Sequence, residues 1–169
     1  MTAGSAKHVL VCGLVAAAAA FGPSAAAVAS PHTLIDPATV LTTGHRVDFT
    51  GTTDFSVVKT DVGPCLAIVP HHSAAGIYQS VNLVARDIGN VHWSWRVDRL
   101  QHSADLRSLA TEDSGATIFF VFGEPSMFDH DVPTLAYVWS STPVPDGTGF
   151  ASARYSHLHY IQLRGRLEV

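Results

Sequence analysis

Hydrophobic and polar residues alternate with a period of two over most of the chain beyond residue 46, and this period predicts β-strands. β-Branched and aromatic residues, which favour half-buried pleated surfaces, fill these runs, and clusters of Gly, Pro, Asn and Asp separate them. The predicted strands cover residues 54–58, 66–69, 77–85, 91–98, 116–122, 135–140 and 155–163. A turn is expected at residues 51–53, where Gly51 interrupts the pattern.

Many short strands with frequent turns indicate an all-β fold, and we predict an antiparallel β-sandwich of jelly-roll type over residues 47–169. One short helix is expected over residues 103–110, with Ser103 as its N-cap and Leu106 on its apolar face. Residues 30–46 are predicted to be extended, with a short helical turn near 37–41. The length suits one domain.

Composition separates the first 29 residues from the rest. Twenty of them belong to the hydrophobic set, and Lys7, the apolar run 9–21 and the A-x-A pattern at 27–29 follow in the order of a secretory signal peptide. We predict cleavage after Ala29 and a periplasmic or extracellular destination. A buried Ala-rich helix or an amino-terminal anchor is the alternative. No later apolar run approaches the roughly 20 residues of a spanning helix, so no membrane span is expected in the mature chain.

Charge narrows the classes of partner. Removing Lys7 from the 10 Lys+Arg leaves 9 against 14 Asp+Glu, and only Lys59 among the nine is a lysine. No basic cluster exists, so a nucleic-acid partner is disfavoured, because phosphate binding needs several cations on one face. Cys65 is the one cysteine beyond the leader and lies in an apolar strand pattern, which predicts a buried, inert thiol rather than an intermolecular disulfide.

The run 91–98 gives the clearest candidate binding surface. Its alternation places His92, Ser94, Arg96 and Asp98 on one face of a strand, opposite an apolar face that carries two tryptophans. An imidazole, a hydroxyl, a guanidinium fork and a carboxylate in one row can hold a polar ligand. Alternatively this face is solvated, or Arg96 forms an ion pair.

Tyr137 and Trp139 share one face of a second aromatic strand. Exposed aromatic rings on a sandwich are a platform for sugar rings, whereas aromatics on the inner face fill the core. Together with Arg96 and Asp98, these two residues form the predicted ligand-binding set.

Three carboxylates are weak candidates for acid–base chemistry: Asp98, Glu112 and Asp113. The adjacent Glu112 and Asp113 precede Gly115, and residues in such a position are more often only turn residues. His157 and His159 would point to one side of a strand and form a weak metal pair, but no completed metal-ligand or cofactor motif is present. We therefore predict neither a resident metal nor a cofactor.

Several sequence blocks together resemble a bacterial exported family called "domain of unknown function 3047", across residues 47–165. The combination of W-x-W-R-V, a later E-D and then Y-V-W is unusual. The blocks are residues 73–77, 93–98, 104–106, 112–116, 118–122 and 135–139. The resemblance implies a secreted or periplasmic β-rich protein without an assigned activity. It also implies a further segment after the strand at 155–163, so the chain is expected to be a short or truncated member with an unpaired edge strand.

These observations favour a non-catalytic cell-envelope module that binds a glycan or a small polar ligand. The first alternative is an envelope polysaccharide hydrolase or lyase that uses Asp and Glu as acid and base. The second is a structural or assembly protein that self-associates through an open sheet edge.

Overall fold

The computed structural model describes residues 9–17, 32–83, 89–100, 102–123 and 132–164. Strands dominate it, which confirms the predicted β-rich class. The strands are β1 Val9–Ala17, β2 His32–Ile35, β3 His45–Thr60, β4 Gly63–Tyr78, β5 Asn90–Val97, β6 Ala116–Val121, β7 Thr134–Trp139, β8 Gly149–Ala151 and β9 Leu158–Arg164. The helix α1, Val40–Thr43, is close to the helical turn expected near 37–41. The chain divides into two compact units, residues 1–96 and 97–169, and the predicted domain boundary at 47 falls within β3.

The first unit holds a five-stranded sheet in the order β2-β1-β4-β3, with β5 paired to β1. β3 and β4 form its largest element, a hairpin of two 16-residue strands joined by a tight turn at residues 61–62. These strands are longer than predicted, because Pro70 lies opposite Thr53 without ending β4.

The predicted turn at 51–53 lies inside the continuous strand β3, where Gly51 faces a bulge of β4. The register shifts between Asp48 and Thr50 and again between Thr50 and Thr52, and Gly51 has a φ of 63° opposite His72, whose φ is 51°. A Cβ on Gly51 would lie 2.8 Å from the Cβ of Ser73. Glycine is needed here because residue 51 adopts the left-handed region opposite two residues of β4, His72 and Ser73, and any Cβ would crowd Ser73.

The second unit holds a four-stranded sheet in the order β6-β7-β9-β8. β6 and β8 each pair antiparallel with their neighbours, but β7 and β9 are parallel. The prediction of purely antiparallel pairing is therefore wrong. A parallel pair needs a crossover of a dozen or more residues, and residues 140–157 provide it with β8 inside them.

Residues 103–110 form turns rather than the predicted helix. Ser108 N–H donates to Asp105 C=O at 3.1 Å, and Thr111 N–H donates to Ser108 C=O at 3.1 Å, without a continuing helical series. The Asp105 carboxylate accepts the backbone N–H of Arg107 at 3.0 Å and also binds its guanidinium. Such a local bond competes with helix formation, and the spacing of apolar residues does not reveal this competition.

The core of the second unit lies on one face of its sheet. Ala136 and Val138 of β7 and Leu158 and Tyr160 of β9 are buried there with Leu106 from the turn segment, and Phe150 of β8 packs against them. This arrangement explains why Leu106 is apolar, although its segment is not helical.

The predicted leader is only partly described. Val9–Ala17 is β1, which pairs antiparallel with β2 and β4, and the rest of residues 1–29 lies outside the described residues. Cys65 is buried as expected, but it is disulfide-bonded, so the prediction of a free thiol is wrong; Cys12 is the other cysteine of the sequence. Among the described residues, no helix combines the length and apolar character that crossing a membrane requires.

Candidate functional site

The strand β5 alternates as its sequence predicts. His92, Ser94 and Arg96 are exposed, whereas Trp93 and Trp95 on the other face are half-buried and meet edge to face, with ring centroids 6.0 Å apart. Asp98 follows the strand and is also exposed. Arg96 closes the first unit and Asp98 belongs to the second, as do Tyr137 and Trp139. Their assignment to one binding set stays a prediction.

The two aromatic residues of β7 have different surroundings. Tyr137 is half-buried, and Phe120 of the adjacent strand meets its ring at a right angle, with centroids 5.8 Å apart. Trp139 is only 6% exposed, and the guanidinium of Arg164 lies 5.4 Å from its ring centroid. Trp139 is therefore a core residue. Its strand is flanked by β6 and β9. Because the ring is buried, it is not the exposed platform that a sugar ring would need.

Glu112 is a predicted candidate whose side chain is largely buried and forms an ion pair. Its side chain is 14% exposed, and its Oε2 accepts a hydrogen bond from Nε of Arg154 at 2.7 Å. Tyr160, a buried residue of β9, lies close enough to the Glu112 carboxylate to interact with it electrostatically. A carboxylate that precedes β6 is thus paired with a cation from the β8–β9 connection and lies near a phenol from β9.

Ser152 organises the connection that carries Arg154. Its Oγ accepts the backbone N–H of Arg154 at 3.1 Å and that of Tyr155 at 3.2 Å. These local bonds shape the turn in which the guanidinium and the next aromatic ring lie. We call the five residues Glu112, Ser152, Arg154, Tyr155 and Tyr160 the Glu112 cluster.

The Glu112 cluster combines the Glu112–Arg154 ion pair with the exposed ring of Tyr155. Tyr155 is 39% exposed, and its ring centroid lies 5.8 Å from that of His157. Arg154 is about half exposed, and within the described part of the chain its guanidinium hydrogen-bonds Glu112 alone. Since a guanidinium carries five N–H donors, the others can serve a ligand.

Burial and the nearby Glu112 charge raise the pKa of Tyr160, and the Ser152 hydroxyl partly opposes this. The Glu112 hydrogen bond also raises the pKa of Arg154. The phenol of Tyr160 therefore keeps its proton at neutral pH, while the guanidinium of Arg154 stays charged.

Tyr160→Phe is expected to remove an alkaline loss of stability. Because the folded-state pKa of Tyr160 is raised above its ordinary value of 10.0, its contribution is complete below that pH and is lost as pH rises through the folded pKa. Between pH 8 and about pH 11, the free energy of unfolding measured in urea should fall more steeply for the wild type than for the variant. Tyr78→Phe, at a tyrosine that is 44% exposed in the first unit, is the control. Parallel pH profiles of the wild type and Tyr160→Phe would contradict this role.

The other candidates have simpler surroundings. Asp113 is exposed, and its Oδ1 accepts the N–H of Ser114 at 2.8 Å, as expected of a turn residue. His157 is half-buried beside Tyr155, whereas His159 is exposed on β9. In the described ranges, no three His, Cys, Asp or Glu side chains converge as a metal site would need. Catalysis by Asp98, Glu112 or Asp113 stays a prediction.

Sequence reasoning singled out Glu112 but missed Arg154, Tyr155 and Tyr160. Arg154 lies 42 positions from Glu112, and the crossover between β7 and β9 brings the two together. One signal was present: the period of two places Tyr160 on the same inner face as Leu158, and a buried phenol needs a hydrogen-bond partner.

The fold and these surroundings define a mostly β protein with one mixed sheet and a polar cluster at its second unit. A family model described as "Protein of unknown function (DUF3047)" matches residues 45–168. The chain belongs to this family, and the predicted resemblance is confirmed. No curated protein and no solved structure matches the chain significantly.

Proposed function

We propose that the chain is a non-catalytic cell-envelope module that binds a glycan or a similar polar ligand at the Glu112 cluster. The observation that carries the proposal is the ion pair of Glu112 and Arg154 beside the exposed ring of Tyr155. A sugar offers hydroxyl donors to a carboxylate, hydroxyl acceptors to a guanidinium and an apolar face to an aromatic ring. The cluster contains all three kinds of partner.

The cluster is preorganised, which lowers the cost of ordering it around a ligand. Ser152 accepts hydrogen bonds from two consecutive backbone amides of the connecting turn, and Tyr160 is buried near Glu112. Glu112 is already paired with Arg154, which suits a fixed binding carboxylate better than one that must exchange a proton. This favours binding over the hydrolase or lyase alternative.

The predicted set of Arg96, Asp98, Tyr137 and Trp139 enters this proposal in altered form. The exposed row of His92, Ser94 and Arg96 belongs to the first unit and is a separate polar surface. Trp139 contributes from the core by supporting its sheet. Export directed by residues 1–29 belongs to the same proposal.

Arg154→Gln is expected to weaken glycan binding roughly tenfold or more, because a charge-assisted bond contributes about 1.5–3 kcal/mol. The test is electrophoresis of the purified chain through gels cast with soluble bacterial polysaccharides, together with a glycan array. Arg107→Gln is the matched control, since it removes an equally charged and exposed guanidinium that pairs with Asp105.

Three results would overturn the proposal. The first is no retardation of the wild type by any polysaccharide and no array signal. The second is an equal loss of binding in Arg107→Gln. The third is release of new reducing or unsaturated ends from a retarding polysaccharide, which would establish the enzyme alternative.

A further inference from the structure

The strand β6 is an open edge of the four-stranded sheet. β7 pairs with it on one side, and the described residues place no strand on its other side. The opposite edge of the sheet is β8, which has only three residues. β6 has six residues in continuous register with β7, so it is the longer and more regular edge.

The hydrogen bonds show which backbone groups of β6 face outward. The N–H of Phe122 donates to the C=O of Pro133 at 2.9 Å, toward β7. Because paired residues alternate between the two edges of an antiparallel strand, the even-numbered residues of β6 bond toward β7. The N–H and C=O groups of Thr117, Phe119 and Val121 therefore face the open edge.

The side chains of this edge are apolar and uncovered. Phe119 is 54% exposed and Val121 is 47% exposed, and both lie on the same face of the sheet. The sequence of β6, ATIFFV, has no charge and no proline, and its register has no bulge. Soluble proteins usually protect an edge with one of these devices or with a very short strand.

We propose that β6 pairs with β6 of a second copy of this chain, antiparallel across a two-fold axis. The axis passes through the middle outward residue of the strand, so Phe119 of one copy lies opposite Phe119 of the other. The two side chains lie on the same face of the joined sheet, because paired residues share a face. In this register Thr117 lies opposite Val121, and Gly115 lies opposite Gly123. The three outward residues of each copy then form about six hydrogen bonds across the axis.

This register suits a second copy for two reasons. First, it uses every outward backbone group of both strands, and it places the two Phe119 rings as a cross-strand aromatic pair, which stabilises a sheet. Second, no charged side chain of either strand meets a like charge, although the chain carries a net charge of −4.

Sedimentation of the purified chain at tens of micromolar tests the pairing. The wild type is expected to sediment as a dimer, and Phe119→Lys as a monomer, because it would place two ammonium groups face to face on the axis. Val121→Lys repeats the test at the second outward apolar position. Leu109→Lys is the matched control, since Leu109 is exposed but lies outside β6, and it should stay dimeric.

Circular dichroism establishes that each variant is folded. A monomeric wild type at every concentration would overturn the proposal. So would a dimer that folded Phe119→Lys and Val121→Lys leave intact, or one that Leu109→Lys dissociates equally.

Cross-linking tests the register. Paired residues of a hydrogen-bonded antiparallel pair have Cα atoms about 5.5 Å apart, within the range of a disulfide, whereas the two Thr117 positions would be about 14 Å apart. Mild oxidation should therefore give a covalent dimer of Phe119→Cys and not of Thr117→Cys. Efficient cross-linking of Thr117→Cys alone would overturn the assigned register. Neither test depends on glycan binding.

Discussion

Gln162→Ala is expected to lower the free energy of unfolding of the second unit by about 4 kcal/mol. Gln162 is fully buried in β9, its Oε1 accepts from Ser140 Oγ at 2.9 Å, and its Nε2 donates to the carbonyls of Thr142 at 3.1 Å and Val144 at 2.9 Å. Alanine leaves a cavity and two carbonyls without these donors. Ser140 can still bond Thr142, whose Oγ1 lies 3.0 Å away.

This network also supports the Glu112 cluster, because it ties the residues after β7 to β9, and β9 carries Tyr160. Urea unfolding followed by far-ultraviolet circular dichroism measures the effect. His159→Ala on the same strand is the control, since its side chain is exposed and its loss should change stability by less than about 0.5 kcal/mol. Equal effects of the two substitutions would contradict the buried network.

Leu106→Ala is expected to cost about 3 kcal/mol, within the usual range for removing a buried leucine. Leu106 is buried against β7 and β9, where it packs with Val138 and Tyr160. Its backbone N–H also donates to Thr142 Oγ1 at 3.0 Å, so the backbone cannot readily move to fill the cavity. Glycan binding should weaken as well, because Tyr160 loses part of its support.

Leu109→Ala is the matched control for this substitution. It makes the same chemical change three positions later, at a side chain that is 57% exposed. Unfolding in urea should show a difference below about 0.5 kcal/mol for this control. If Leu109→Ala were as destabilising as Leu106→Ala, the turn segment would not be anchored as the structure shows.

The two proposals use different parts of the second unit. The Glu112 cluster depends on the β8–β9 connection, whereas the dimer depends on the outer edge of β6. A dimer would present two Glu112 clusters to one polymer, which raises avidity without new contacts when both can engage. The two properties can be lost independently.

The period of two in the sequence predicted β5, β6 and β7 close to their observed bounds. It also predicted the faces of β5, since His92 and Arg96 are exposed and Trp95 is half-buried. This succeeded because successive side chains of a strand point to opposite faces whatever the strand pairs with. The resemblance likewise needed only the order and spacing of local blocks.

The sequence pattern did not predict three features of the structure, each for a physical reason. β8 has three residues, too few to show a period. Residues 103–110 have a helical spacing of leucines, but the Asp105 carboxylate binds the amide of Arg107 and forms a turn instead. Gly51, with its positive φ, lies opposite a bulge of β4 rather than in a turn, because β3 continues alongside β4.

By itself, the sequence determined that this protein is built of strands, which face of β5 is polar, and that it belongs to its family. Only the tertiary structure decided that β7 and β9 are parallel, that Trp139 is core, and that Arg154 reaches Glu112. Alternation is a local property of the backbone. Strand order, burial and ion pairing depend on which distant segments pack together, and a period along the chain carries no record of those partners.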